Sequence, residues 1–264
     1  MRTRDWQPWR PERGATGFAL EIPVIGHRGA AAWAPENTLA GLREAKRRGC
    51  RWVEFDVKLT RDRIPVLLHD ERLERTTSGR GRARDLDAAE FRQLDAGRWF
   101  DSRFAGEPVP TLADAIALLH ELDLDANIEI KPCRGREAET AEVVARQVLR
   151  LWPAERPVPL FSSFSEEALA VARRIAPEIP RGLLREAPGR NWQDRLVALD
   201  CVTLHLDHRR VSLKALRAMR EAGVAVLLYT VNDPARAAQL LEAGAAGLFS
   251  DVPDLLLAAL GRPQ

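Results

Sequence analysis

Extended and helical segments alternate along most of this 264-residue chain. Beyond residue 110, each apolar run of strand length is followed by a segment whose apolar side chains recur at helical spacing. We predict strands near residues 127–131, 160–163, 181–184, 201–206, 225–231 and 247–250. We predict the helices that alternate with them near residues 137–151, 166–175, 192–199, 213–222, 234–243 and 252–260.

Two earlier strands, near Val24 and Trp52, bring the number of strand–helix units to eight. Eight such units in about 240 residues are typical of a (β/α)8 TIM barrel. A doubly wound open sheet also fits the alternation. Because no internal repeat or low-complexity linker divides the sequence, we predict a single domain over residues 1–264.

The alternation is interrupted between residues 70 and 110. Residues 64–69 are predicted to return as an extended piece against the second strand, and residues 87–94 to form a short helix. The rest of this stretch lacks regular periodicity and is too long for an ordinary connection. We therefore expect a small insertion after the second strand.

The second strand presents two carboxylates on one face. Glu54 and Asp56 are two residues apart, so in an extended chain they point the same way, whereas Val53, Phe55 and Val57 point the other way. Burying carboxylates is costly unless they are paired or bind a metal ion.

Glu129 on the next predicted strand would complete a set of three carboxylates. Oxygen ligands of this kind suit Mg2+, Ca2+ or Mn2+ better than zinc. Ion pairs with Lys58 or Lys131 are the alternative.

Histidines and cations accompany these carboxylates. His27 and His69 each end a strand-like segment, and a histidine pair can act as general base and general acid near neutral pH. Metal ligation or a structural hydrogen bond is the alternative for either one. Arg28 and Lys131 would hold a phosphate, although Arg28 alternatively pairs with a carboxylate.

In a barrel, catalytic groups come from the carboxyl ends of the strands. Residues predicted at or near such ends are His27, Arg28, Glu54, Asp56, Glu129, Lys131, Ser163, His205 and Asn232.

Composition excludes several classes of protein. The 40 Lys and Arg residues nearly balance 38 Asp and Glu residues, so we expect no nucleic-acid partner. Three cysteines without a CxxC pair predict reduced thiols rather than a zinc site.

Residues 1–22 contain no apolar core of a secretory signal, and no apolar run approaches the roughly 20 residues of a membrane span. We expect a cytoplasmic protein without stable membrane insertion, and either a monomer or a homodimer.

Short motifs along the chain resemble those of the glycerophosphodiester phosphodiesterases. The resemblance extends from about residue 24 to 257, which makes it more specific than any single motif. The matching stretches are Gly26-His27-Arg28-Gly29, Pro35-Glu36-Asn37-Thr38, Glu54-Phe55-Asp56-Val57, Thr60-Arg61-Asp62, Pro65-Val66-Leu67-Leu68-His69-Asp70, residues 90–95, Val109-Pro110-Thr111-Leu112, Glu129-Ile130-Lys131-Pro132, Tyr229-Thr230-Val231-Asn232 and Ser250-Asp251.

The resemblance implies a TIM barrel with a small insertion and assigns roles to the candidate residues. It makes His27 and His69 the general acid/base pair, and it makes Arg28 and Lys131 phosphate contacts. The divalent-metal ligands would be the three carboxylates Glu54, Asp56 and Glu129.

The resemblance also implies a substrate class and a reaction. Members of the family hydrolyse small glycerophosphodiesters, such as glycerophosphocholine or glycerophosphoethanolamine, to an alcohol and sn-glycerol 3-phosphate. The attacking group is either the substrate's own glycerol hydroxyl, which gives a cyclic phosphate, or water. A lysophospholipase D-like enzyme and a non-catalytic binding barrel are the alternative functions.

Two positions depart from the family pattern. Tyr229 stands where tryptophan is common, and Ser250 where threonine is common. Tyr229 is still expected to contact substrate as part of an aromatic wall, so the departure bears on the alcohol group and leaves the reaction unchanged. Further candidates for that wall are Trp33, Trp99, Phe100 and Phe164, with packing in the core as the alternative for each.

Overall fold

Parallel strands close into a barrel in the computed structural model, which describes residues 24–261. The strands are β1 (Val24–Gly26), β2 (Trp52–Leu59), β3 (Pro65–Leu67), β4 (Asp125–Ile130), β5 (Leu160–Ser163), β6 (Arg181–Arg185), β7 (Thr203–Asp207), β8 (Ala225–Tyr229) and β9 (Gly247–Ser250). The helices are α1 (Leu39–Arg47), α2 (Ala88–Phe91), α3 (Leu112–Leu122), α4 (Glu137–Leu151), α5 (Glu166–Ile175), α6 (Trp192–Leu199), α7 (Leu213–Glu221), α8 (Pro234–Glu242) and α9 (Pro253–Ala259).

Closure of the sheet comes from β1, which pairs in parallel with both β2 and β9. The remaining barrel strands follow in the order β2, β4, β5, β6, β7, β8, β9. The predicted (β/α)8 barrel is therefore confirmed, and a doubly wound open sheet is excluded because such a sheet has two free edges. The strand β3 lies outside the eight barrel strands. It runs antiparallel to the end of β2, beyond the residues of β2 that pair with β1.

Strand periodicity separates two apolar layers. Outward-facing residues of β2, such as Val53 and Phe55, join the packing between the strands and the helices. Inward-facing Ile25, Trp52 and Phe249 belong to a separate cluster inside the barrel. Nearer the carboxyl ends of the strands, the inward-facing residues are polar. The polar opening of the barrel therefore lies above an apolar interior.

Hydrogen-bonding side chains begin several of the helices. Thr38 accepts from the Gly41 amide, and Thr111 forms a capping box with Asp114 before α3. Ser165, Ser212 and Asp233 cap α5, α7 and α8 in the same way, because each side chain accepts a backbone N–H three residues later.

The predicted insertion has an apolar cluster of its own. Leu73, Ala83 and Phe91 pack there with the end of β3. The helix predicted at 87–94 is shorter, because after α2 the amides of Gln93 and Leu94 donate three residues back instead of four. The strand predicted at 201–206 begins later, since the Cys201 amide still donates to Leu196 at the end of α6.

In the described part of the chain, none of the helices has both the length and the apolar character that crossing a bilayer requires. The predictions for residues 1–22 lie outside the described residues.

Candidate active site

Three carboxylates meet at the carboxyl ends of β2 and β4. Asp56 and Glu129 are register partners on these neighbouring strands, and Glu54 lies one inward-facing position earlier on β2. One oxygen from each residue lies within 4.8 Å of the others, and all three residues are buried. The structure thus brings together the three predicted metal ligands.

Two cations lie against this cluster. The Lys131 Nζ atom is 2.6 Å from Glu129 Oε1 and 3.2 Å from Asp56 Oδ1. The Arg28 Nε atom is 3.4 Å from Asp56 Oδ2. Asp56 therefore contacts both cations, whereas no ion pair links Glu54 to a side-chain cation among the described residues.

The ionisation of the three carboxyls follows from this asymmetry. Burial would raise the pKa of Asp56, but Lys131 and Arg28 outweigh burial and hold that pKa well below its usual range. Burial, together with repulsion from Asp56, raises the pKa of Glu129 to about 7 and also raises that of Glu54. The cluster is short of positive charge, and oxygen donors that converge in this way fit a divalent cation.

The turn after β1 carries Arg28 to the cluster. Arg28 and Gly29 both have positive φ angles, of 50° and 93°. A Cβ atom at Gly29 would lie 2.6 Å from the Gly41 carbonyl carbon in α1, so only glycine fits there. In this turn the Arg28 amide donates to Glu54 Oε2 at 3.0 Å.

Asn37 fixes the orientation of Asp56. Its Nδ2 atom donates to Asp56 Oδ2 at 2.9 Å, and its Oδ1 atom accepts the Asp56 amide at 3.0 Å. Asn37 has a positive φ of 56° just before α1, a conformation that asparagine tolerates better than most residues. This reciprocal pair holds the most strongly ionised carboxylate of the cluster in one orientation.

Each of the two histidines is paired with an aspartate through Nδ1. The His27 Nδ1 atom is 2.6 Å from Asp251 Oδ1, and Asn232 Nδ2 donates to the other oxygen of Asp251 at 2.7 Å. The His69 Nδ1 atom is likewise 2.6 Å from Asp70 Oδ1. A carboxylate on Nδ1 favours the tautomer that leaves Nε2 available for proton transfer.

An arginine from the insertion connects the second histidine pair with the phosphate-binding candidate Arg28. Arg75 Nε donates to Asp70 Oδ2 at 2.6 Å, and its two terminal nitrogens donate to Glu36 at 2.7 and 2.8 Å. Glu36 Oε1 accepts from Arg28 Nη1 at 2.7 Å. The hydrogen bonds to Arg75 hold the pKa of Asp70 well below its usual range, so this partner of His69 stays ionised.

A cavity of about 350 Å3 opens beside these groups. The rings of Phe164 and Tyr229 form one side of it and meet edge to face at 6.1 Å. The Lys131 ammonium lies 5.5 Å from the Phe164 ring centre. The Tyr229 hydroxyl donates to the Arg185 carbonyl, so the ring is the part of this side chain that faces the cavity.

The glycerophosphoryl diester phosphodiesterase family model matches residues 27–255, a range that includes every residue of this site. The chain belongs to this family. A glycerophosphodiester phosphodiesterase of Caldanaerobacter subterraneus subsp. tengcongensis is 31% identical over 238 residues, which are 90% of this chain and 97% of that protein.

Solved structures agree with this family assignment. A phosphodiesterase of Oleispira antarctica, in complex with the product sn-glycerol-3-phosphate, matches with a TM-score of 0.88 and 40% identity over 90% of this chain and 96% of that one. The glycerophosphodiester phosphodiesterase of Thermotoga maritima matches with a TM-score of 0.71 and 26% identity over 90% of this chain and 97% of that one. The chain is therefore an enzyme, a glycerophosphodiester phosphodiesterase.

Two of the candidate residues do not line this cavity. Ser163 was a candidate at the end of β5, but it faces outward and donates to the Ile130 carbonyl, and Ser162 lines the cavity instead. A strand of four residues is too short for the sequence to fix which face points inward. Trp33, a candidate for the aromatic wall, packs beneath the Arg48 guanidinium and donates to Asp254.

Other predicted residues lie beside the site. Trp99 and Phe100 line a second cavity that shares His27 and Arg28 with the first. Four residues hold functional groups in place, although the sequence patterns assigned no role to them. They are Asn37, Asp70, Arg75 and Asp251. Asn37, Asp70 and Asp251 lie within family motifs, and that was the available signal, whereas Arg75 lies in none of them.

Proposed function

We propose that this phosphodiesterase hydrolyses small glycerophosphodiesters, such as glycerophosphocholine and glycerophosphoethanolamine, to an alcohol and sn-glycerol 3-phosphate. Two histidine–aspartate pairs flank one cluster of carboxylates and cations at the mouth of the barrel. That arrangement carries the proposal, because cleavage of a phosphodiester requires a proton acceptor, a proton donor and positive charge at the phosphate.

Arg28 and Lys131 hold the phosphate group. Both side chains are mostly buried and are fixed by carboxylates, so they are already in place when the substrate arrives. Positive charge that is held in position stabilises the charge that develops on the phosphate oxygens. Tyr229 and Phe164 contact the organic part of the substrate through their rings.

The histidines move the protons. Burial lowers the pKa of His69, against the opposing effect of Asp56, so its neutral form predominates at pH 7. A neutral imidazole accepts a proton, which fits His69 as the general base that deprotonates the attacking oxygen, either that of water or that of the glycerol hydroxyl next to the phosphate ester. His27 then donates a proton to the alcohol oxygen as the bond from phosphorus to that oxygen breaks, and the Asp251 carboxylate holds the imidazole in position through Nδ1. When the glycerol hydroxyl is the attacking group, water then opens the cyclic phosphate to give sn-glycerol 3-phosphate.

Glu54, Asp56 and Glu129 would bind one divalent cation, Mg2+ or Ca2+, with Mn2+ also compatible with oxygen ligands. When bound, the cation polarises the phosphate and neutralises its charge. The raised pKa values of Glu54 and Glu129 support this role, because added positive charge would relieve the repulsion among the three carboxylates.

Replacement of the histidines tests the proposal. His27→Ala and His69→Ala should each lower the release of glycerol 3-phosphate from glycerophosphocholine by at least roughly 100-fold, the usual contribution of a general acid or base. His120→Ala removes an exposed histidine of α3 and is the matched control, with the wild-type rate expected. Near-wild-type turnover in both site variants would show that the proton-transfer assignment is wrong.

A further inference from the structure

Buried polar residues line one part of the cavity, and exposed residues line another. On the exposed side, Phe164 is 46% accessible and the Arg209 side chain is 77% accessible. On the buried side, Asn127, Ser162 and His205 face inward and are at most 1% accessible. Asn127 precedes Glu129 by two residues on β4, which places it one inward-facing position deeper in the barrel. The cavity therefore has an open rim and a closed inner end.

His205 occupies the inner end with one nitrogen engaged. Its Nε2 atom is 2.8 Å from Thr203 Oγ1, and its ring lies 5.3 Å from that of Phe249. Gly182 of β6, the register partner of Thr203, also lies against this imidazole, and a Cβ atom there would come within 2.4 Å of His205 Nε2. Absence of a side chain at Gly182 thus leaves the space that the imidazole needs. Within residues 24–261, the Nδ1 atom has no hydrogen-bond partner.

Among the described residues, Asn127 provides a second buried polar atom without a hydrogen-bond partner, on a strand across the barrel from β7. Its Nδ2 atom donates to Ser162 Oγ at 2.9 Å, whereas its Oδ1 atom is buried and has no partner in the described part of the chain. A buried polar atom without a partner is destabilising, so two of them around one cavity favour a ligand that forms hydrogen bonds with both. Burial lowers the pKa of His205 to about 3, so its imidazole is uncharged at neutral pH, as the Asn127 amide is at any pH.

We propose that Asn127 and His205 recognise the terminal hydroxyl of the glycerol unit, and that the alcohol lies at the open rim beside Phe164, Tyr229 and Arg209. The inference rests on the proposed function and assigns the orientation of the substrate within that site. Every glycerophosphodiester carries the same small, uncharged glycerol group with two free hydroxyls, which suits a closed end lined by uncharged hydrogen-bonding groups. A choline group has no free hydroxyl and would leave Asn127 and His205 without partners. Alcohols that differ in size and charge fit only an open rim.

Two substrates that differ in a single hydroxyl test this orientation. Glyceryl p-nitrophenyl phosphate and 2-hydroxypropyl p-nitrophenyl phosphate share the leaving group and the hydroxyl next to the phosphate ester, but only the first has the terminal hydroxyl. Either route of attack is therefore open to both. We expect the wild-type enzyme to prefer the glyceryl ester by at least about 10-fold in kcat/KM, because a site that hydrogen-bonds a hydroxyl rejects the analogue without it.

The variants His205→Leu and Asn127→Ala should reduce that preference toward unity. The loss should fall on the glyceryl ester, with less than about a threefold change on the hydroxypropyl ester. Because each variant is compared with itself on two substrates, general damage to the fold would lower both rates together. In a variant that keeps the thermal stability of the wild type, equal losses on both substrates, or an undiminished preference, would overturn the proposal.

A measurement on the wild-type enzyme alone covers the case in which the variants do not fold. Inhibition by sn-glycerol 3-phosphate is compared with inhibition by 1,2-propanediol 1-phosphate, and the first should bind at least about 10-fold more tightly. Equal inhibition would refute recognition of the terminal hydroxyl. A wild-type protein that releases no glycerol 3-phosphate from glycerophosphocholine would instead refute the proposed function.

Discussion

Asp70→Asn changes the partner of His69 with almost no change in shape. The Asp70 carboxylate is 2.6 Å from His69 Nδ1, and it also accepts two hydrogen bonds from Arg75. In the buried triad of serine proteases, the same substitution lowers kcat by about 10⁴. The Asp70 side chain is 27% exposed and shares its charge with Arg75, so we expect a smaller loss, of about 100-fold. That loss equals about 2.7 kcal/mol in the activation free energy.

The pH profile of Asp70→Asn gives a second test, because the direction in which the profile moves follows from the pKa of His69. Burial lowers the pKa of His69, and the hydrogen bond to Asp70 partly opposes that shift. Removing the carboxylate therefore lowers the pKa of His69 further. If His69 is the general base, the acidic limb of the kcat/KM profile moves to lower pH.

The assay for Asp70→Asn is release of glycerol 3-phosphate from glycerophosphocholine between pH 5 and 9. Asp101→Asn is the control, because Asp101 forms an exposed pair with Arg103 in the same insertion, and it should keep the wild-type profile. The free energy of unfolding should fall by about 1 kcal/mol or less in Asp70→Asn, since the ion pair with Arg75 is partly exposed. Unchanged turnover, or an acidic limb that moves to higher pH, would refute the role of Asp70.

Three further substitutions test the groups around the site. Arg75→Met should lower kcat by at least about 10-fold, because both Asp70 and Glu36 lose their fixed partner, whereas Arg72→Met, on an exposed pair of the same insertion, should have no effect. Glu54→Gln should raise the metal concentration at half-maximal thermal stabilisation by at least about 10-fold; an unchanged titration would remove Glu54 from the metal site. Asp251→Asn should reduce kcat about 100-fold through the first histidine, and equal activity in wild type and variant would contradict that pairing.

The barrel was predictable because its sequence signal is repeated. Each strand and helix contributes a weak pattern of its own, and eight units in regular alternation leave few alternatives. The period of two also predicted correctly that Glu54 and Asp56 share a face opposite Val53, Phe55 and Val57. The parallel arrangement then placed the carboxyl ends of all barrel strands at one mouth, so residues distant in sequence were expected to meet.

Side-chain partners were less predictable, because they depend on loops whose geometry the sequence pattern does not give. Asn37 reaches Asp56 only because the backbone turns through a left-handed conformation before α1. Arg75 connects Asp70 with Glu36 across two separate loops, a contact with no local sequence signal. Such contacts require the loops to be placed in three dimensions first.

His205 shows the limit of strand patterns in another way. It was expected near a strand end, yet it lies in the middle of β7, one inward-facing position below Asp207. Hydrophobic alternation gives the face of a residue but not its depth, because depth is set by the register between strands. The inner end of the cavity therefore became apparent only from the packed barrel.

Metal-dependent release of sn-glycerol 3-phosphate tests the account most directly. The purified protein is freed of metal with EDTA and given glycerophosphocholine, alone and with added Mg2+, Ca2+ or Mn2+, and the product is measured by a coupled dehydrogenase assay. We expect no release without a divalent cation and full release once one is restored. Equal rates with and without metal would contradict the role assigned to Glu54, Asp56 and Glu129, and choline-containing lysophospholipid cleaved in place of glycerophosphocholine would contradict the substrate class.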